Sequence, residues 1–226
     1  MIFLLPLGCI MSLRKIPLVS GEYYHIYNRG NSKQTIFHDK ADYDRFIKIL
    51  FLSNGEESFK VHLIEKEIYD FDRGAPLVNI GAYCLMPNHF HLLLTQTDNG
   101  SISKFMQKLT TSYSMYYNKR RERTGTLFEG KFKSEHIDND RYLKYLFSYI
   151  HLNPLKIIYA NWKEEGIKNK NQVPRFLKDY AFSSYQDYLG HTRKQNQIID
   201  KKSFPDYFPN PASFQEEIFD WISFND

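Results

Sequence analysis

The sequence predicts an α+β fold, an antiparallel sheet with helices on one face. Three observations carry this. Alternating segments rich in β-branched and aromatic residues lie on either side of a helix-period stretch. Two of them join at Pro87-Asn88, a hairpin signal. The predicted order is strand, helix, three strands, then two helices, which suits an α+β sandwich.

The elements follow in chain order. GEYYHIYNRG (21–30) alternates and predicts a strand ending in a turn at Asn28–Gly30. His25 and Tyr27 share one of its faces; Tyr24, Ile26 and Asn28 share the other. In DKADYDRFIKILFLSN (39–54), Tyr43, Phe46, Ile47 and Leu50 fall at helical spacing behind an acidic first turn. FKVHLIEKEIYDF (59–71) reads as a second strand. LVNIGAYCLM (77–86) and HFHLLLTQ (89–96) read as the hairpin strands. Ser101 is an N-cap candidate for a helix running to Asn118. Residues 119–137 open basic and Gly-punctuated and then become strand-like. DNDRYLKYLFSYIHLN (138–153) is a helix expected to stop before Pro154, because the residue before proline disfavours the α region. Beyond residue 156 the signals weaken, with short helices expected in AFSSYQDYLG and SFQEEIFDWISF.

At 226 residues the chain fits one large domain, or one domain with a tail. Its net charge is only +4, but the window 101–135 carries Lys104, Lys108, Lys119, Arg120, Arg121, Arg123, Lys131 and Lys133 against Glu122, Glu129 and Glu135. A local basic surface favours a polyanionic partner, because neutralised phosphates release counterions; a solvated helix face accounts for the same charges. Cys9 and Cys84 form no CxxC pair, which points to a reducing, cytoplasmic compartment. MIFLLPLGCI is too short to span a bilayer and lacks the basic region of a signal peptide. Residues 1–17 read as a leader, with Met11 as an alternative start. No other segment is long and apolar enough to cross a membrane.

The chemistry concentrates in two stretches. In 86-MPNHFHLLL-94, His89 and His91 project from one strand face while Phe90 points to the other. Two imidazoles on a rigid element begin a metal site without completing one. Cys84, on the neighbouring strand, reads as core. In 148-SYIHLNP-154, Tyr149 and Asn153 are i and i+4 on one helix face. A core stripe of Tyr142, Tyr145, Leu146 and Tyr149, capped by Asn153, accounts for them equally.

HFH flanked by MPN and LLL, followed about sixty residues later by YIHLNP, resembles the HUH single-tyrosine transposases, named for histidine, hydrophobic residue, histidine. The nearest branch is the REP-associated tyrosine transposases of bacteria. YHIYNRGN near the start and RTGTLFEGKFKS between the motifs fit the same family, so the likeness covers residues 18–156. It implies a ferredoxin-like catalytic domain there, with 157–226 as a C-terminal extension. It also implies that His89, His91 and Asn153 hold Mg²⁺ or Mn²⁺, and that Tyr149 is the nucleophile. An amide oxygen is a hard ligand that suits Mg²⁺ better than zinc. The implied reaction is cleavage and rejoining of single-stranded DNA with hairpin or palindromic repeats through a 5′-phosphotyrosine. Asn28, Arg29, Arg120, Arg121, Arg123, Lys131 and Lys133 are the candidate DNA contacts, with stacking offered by Tyr113, Tyr116, Tyr117, Phe128 or Phe132, most of them core. His25 is a further candidate for the site lining; His151 points off the face of Tyr149. Relatives imply a monomer or a homodimer. Two other readings use the same residues: a non-catalytic nucleic-acid-binding module, and a metal-dependent hydrolase that forms no adduct.

Overall fold

The computed structural model describes residues 17–65 and 67–223; the leader read at 1–17 lies outside them except for Pro17. The strands and helices run β1 (Tyr23–Arg29), α1 (Lys40–Ser53), β2 (Val78–Met86), β3 (His89–Gln96), α2 (Ser101–Arg120), β4 (Lys133–Ile137) and α3 (Asp140–Leu152). Then come α4 (Leu155–Ile158), α5 (Trp162–Glu165), α6 (Val173–Asp179), α7 (Tyr185–Tyr188) and α8 (Pro211–Ser223). The four strands form one antiparallel sheet in the order β2-β3-β1-β4. With the order β-α-β-β-α-β this is the ferredoxin-like arrangement.

Strand alternation divides the core. Tyr24, Ile26, Phe90, Leu92 and Leu94 face α1 and α2, where Phe46, Leu50, Phe105, Leu109 and Tyr113 pack against them. α1 and α2 lie on one face as expected, whereas α3, expected beside them, lies on the other. Ala82, Cys84, Met86 and Leu93 point the opposite way, onto α3 and the segment after it. Leu146, Phe147 and Ile150 of α3 share that second core with Tyr188 of α7 and Phe214 and Ile218 of α8. The sheet is therefore a middle layer, apolar on both faces. This is why HFHLLLTQ reads as a nearly continuous apolar run.

Helix starts follow their caps. The Asp39 carboxylate accepts from the Asp42 amide at 3.1 Å and the Asn139 side chain from the Tyr142 amide at 2.8 Å. Ser101, expected as an N-cap, is instead the first residue of α2. Gly100 precedes it with φ 86°, a backbone conformation that suits glycine.

One further expectation is corrected. The described residues of 59–71 form no strand; they make short 3₁₀ turns at Val61–Leu63 and Ile68–Asp70. The outer edge of β2 is already taken, since the Leu85 amide donates to the Phe182 carbonyl, Ser183 bridges Cys84, and the Asp200 amide donates to Ile80. Phe59, Val61, Ile64 and Phe71 pack onto the first core instead. α3 does stop before Pro154, at Leu152, but not because the α region is closed to the residue before proline. Asn153 and Pro154 both keep right-handed helical angles and lead into α4. The Asn153 side-chain amide donates to the Tyr149 carbonyl at 2.8 Å, capping an oxygen that the tightened turn would leave open.

Candidate active site

His89 and His91 stand on β3 with their rings edge to face, centroids 5.0 Å apart. The strand register sets Tyr27 and Cys84 opposite His91, and Arg29 and Met86 opposite His89. Cys84 is wholly buried in the second core, as expected of a core thiol, and burial pushes its pKa up. Each histidine has its Nδ1 engaged. For His89 the partner is Asn88 Oδ1 at 2.6 Å; for His91 it is His25 Nε2 at 2.8 Å. Among the described residues neither Nε2 has a hydrogen-bond partner.

Tyr149 comes from α3 above this face, and Asn153 directly follows its last residue. The Tyr149 ring meets His91 and His25 edge-on, with centroids 5.6 and 5.9 Å away. Asn153 is 1% exposed, and its Oδ1 is buried without a partner. A buried oxygen in that condition is costly unless a ligand satisfies it. No group of three or more His, Cys, Asp or Glu suited to a metal occurs among the described residues. The donors that the two motifs offer are instead two imidazole nitrogens and one orphaned amide oxygen, neutral groups of the kind that take a divalent cation.

The surroundings hold both imidazoles neutral near pH 7. Burial, then Lys156 and Arg29, lower the His89 pKa to about 4. Burial, then His25 and His89, hold His91 well below the usual range. His25 is lowered by burial, with Glu135 opposing. The Tyr149 phenol is raised by burial and by Tyr145, so it is protonated at neutral pH. Two lysines lie over its ring, Lys156 Nζ at 5.6 Å and Lys163 Nζ at 4.8 Å from the centroid. Tyr149, His25, His91 and Glu135 line a recess of about 330 Å³ with Tyr27 and Tyr142.

Glu135, Lys156 and Lys163 were missed by sequence reasoning. Lys156 carried a signal, lying seven residues after Tyr149 on the same helical path, hidden by the assumption that Pro154 stops it. Lys163 arrives from α5 and left no local trace. His25, the lesser candidate, lies at the centre of the cluster.

The candidate DNA contacts disperse. Arg120 binds Asp39 and Asp42, and Arg121 binds Asp42 at 2.9 Å. Arg123 donates to Gln34 and to the Thr126 carbonyl, both at 3.2 Å. Arg29 pairs with Glu129. Asn28 is buried, holds the Arg29 amide and the Gly130 carbonyl, and faces a groove of about 890 Å³ between α2 and 125–132, on the sheet face away from the histidines. Lys131 and Lys133 are exposed and make no salt bridge among the described residues. Tyr113, Tyr117 and Phe128 are core.

Against known proteins, residues 75–153 match the family model described as "Transposase IS200 like". The matched stretch begins just before β2 and ends on Asn153, so it contains His89, His91 and Tyr149 as well. Two solved structures are similar over most of the chain. One is a REP-associated tyrosine transposase bound to a REP hairpin, at 14% identity and TM-score 0.48, covering 82% of this chain and 90% of that one. The other is tRNA(His) guanylyltransferase from Saccharomyces cerevisiae, at 9% identity and TM-score 0.39, covering 87% of this chain and 86% of that one. Among curated proteins none matches. No helix among the described residues is long and apolar enough to cross a membrane.

Proposed function

Because residues 75–153 match the IS200-like transposases, we propose that this protein cleaves and rejoins single-stranded DNA bearing hairpin or palindromic repeats, with Tyr149 as nucleophile. The observation that carries the reading is the seating of Tyr149, edge-on to His91 at 5.6 Å, beside the orphaned oxygen of Asn153. A core tyrosine needs neither an imidazole pair with open nitrogens nor an unsatisfied amide next to it.

His89 Nε2, His91 Nε2 and Asn153 Oδ1 would hold Mg²⁺ or Mn²⁺. When bound, such an ion draws charge from a phosphate oxygen and fixes the scissile group. Tyr149 Oη attacks the phosphorus. The P–Oη bond forms, the P–O3′ bond breaks, and its electron pair leaves on the 3′ oxygen. The phenolic proton passes to solvent and the 3′ oxygen takes one up. Lys156 and Lys163, both over the ring, favour the phenolate as it develops. The product keeps a phosphodiester, now to tyrosine, so reversal by another 3′-hydroxyl rejoins DNA without ATP. Lys131 and Lys133 are exposed cations suited to phosphate contact. Arg29, Arg120, Arg121 and Arg123 would reach DNA only through donors left over from their protein partners.

The test is an adduct assay. Labelled single-stranded DNA from the flanks of the protein's own gene is incubated with the protein and Mn²⁺ or EDTA, then run on a denaturing gel. A protein-linked band that requires the metal and is absent in Tyr149→Phe is expected. A band that survives in Tyr149→Phe refutes the nucleophile. DNA binding without any band supports the non-catalytic module, and a free 5′-phosphate without a band supports the hydrolase.

A further inference from the structure

The geometry points to Glu135 and His25 as a relay that fixes the tautomer of His91 and leaves its Nε2 lone pair open to a divalent cation. This rests on the metal-site reading above and adds two positioning residues to it, one from β1 and one from β4.

The relay crosses three strands. His25 on β1 lies opposite Glu135 on β4 in the register, and its ring reaches the other way to His91 on β3. The two imidazoles meet end to end. Their planes are 22° apart, their centroids 5.0 Å, and His25 Nε2 is 2.8 Å from His91 Nδ1. On the far side, His25 Nδ1 is buried without a hydrogen bond, and Glu135 Oε2 stands 3.5 Å from it. Glu135 is itself held by two phenols, Tyr27 Oη at 2.9 Å and Tyr142 Oη at 3.3 Å.

A neutral imidazole carries one ring proton, so the pair has two arrangements. In the first, His25 donates from Nε2. The His91 proton then sits on Nε2, which cannot ligate, and the His25 Nδ1 lone pair faces a carboxylate. In the second, His91 donates from Nδ1 and its Nε2 is open. The His25 proton then sits on Nδ1, directed at Glu135. The carboxylate disfavours the first arrangement by repulsion between lone pairs and favours the second by attraction to an N–H. A ligating histidine ordinarily has its other N–H held in this way, and loss of the holding group costs about 10- to 100-fold in metal affinity.

Two measurements on the full chain test this. Long-range ¹H–¹⁵N spectra of the metal-free protein report which nitrogen of His91 bears the proton. Mn²⁺ titration followed by electron paramagnetic resonance reports affinity. Wild type should show His91 protonated at Nδ1, and Glu135→Ala should move that proton toward Nε2. Both His25→Phe and Glu135→Ala should bind Mn²⁺ about 10- to 100-fold more weakly. Glu135 is an exposed side chain, so its variant keeps the test open if His25→Phe fails to fold. A wild-type His91 protonated at Nε2, or unchanged Mn²⁺ affinity in Glu135→Ala, overturns the relay. A wild type protonated at Nδ1 that binds no Mn²⁺ overturns the metal reading, and with it the purpose of the relay.

Discussion

Acid should loosen this protein through His151, two residues beyond the proposed nucleophile. The ring is fully buried. Its Nδ1–H donates to the Phe147 carbonyl at 2.8 Å, so Nε2 is the acceptor and takes the Ser184 hydroxyl at 2.7 Å. Tyr185, Tyr188 and Phe214 surround it. A proton added at Nε2 would bring a charge into that apolar setting, with Arg193 and Lys201 adding repulsion. Burial, the largest cause, lowers the pKa to about 3. The unfolded chain, at about 6.5, therefore binds the proton first as pH falls. The neutral ring costs the fold nothing above the unfolded value. Below it stability drops by about 1.4 kcal/mol per pH unit, until the folded ring also titrates near pH 3. Between pH 7 and pH 5 the loss from this residue is about 2 kcal/mol. Urea unfolding at the two pH values, in wild type and His151→Gln, isolates it. The other buried histidines contribute to both proteins and cancel in the difference. An equal loss in the two proteins, or an imidazole proton resonance titrating near the unfolded value, would refute the reasoning.

Four further outcomes are expected. Arg120→Ala should lower the urea midpoint, because Asp42 beneath it is fully buried, and should leave DNA affinity nearly unchanged. Lys131→Ala with Lys133→Ala should do the reverse, flattening the plot of log affinity against log salt by about 0.7 for each phosphate that is no longer neutralised. Asn153→Ala should weaken Mn²⁺ binding measured by calorimetry, because it removes the amide oxygen that no protein group satisfies. Asp187→Asn should cost about 3 kcal/mol in chemical unfolding, since it leaves Arg193 unpaired in a buried setting beside Tyr83.

Much of the first 153 residues was legible because local signals and tertiary packing agree there. The alternation in GEYYHIYNRG, the turn at Pro87-Asn88 and the helical spacing of Tyr43, Phe46, Ile47 and Leu50 each name one conformation, and each is realised. FKVHLIEKEIYDF misleads because its β-formers say nothing about whether a sheet edge is free. That edge is closed by residues 182–184 and 200, far along the chain. The site divides in the same way. His89, His91, Tyr149 and Asn153 sit at short, periodic spacings within two motifs. Glu135 meets His25 across a strand register, and Lys163 meets Tyr149 through tertiary packing. Neither partnership leaves a pattern in either segment. The basic window has the same limit: charge is visible in sequence, but the pairing of Arg120 and Arg121 with Asp39 and Asp42 is not.

The sheet's burial on both faces gives the site a mechanical character. The imidazole pair is built into the middle layer, held by its strand neighbours, while the phenol hangs from the layer above. The gap between Tyr149 and the two histidines is therefore an interlayer spacing, set by how closely α3 rides on β2 and β3. Sliding or lifting one helix changes it directly, whereas flexing the sheet carries both histidines together. His151 and Ser184 pin that helix to the extension on its far side. The described part of the last third of the chain thus bears on that distance by packing against α3.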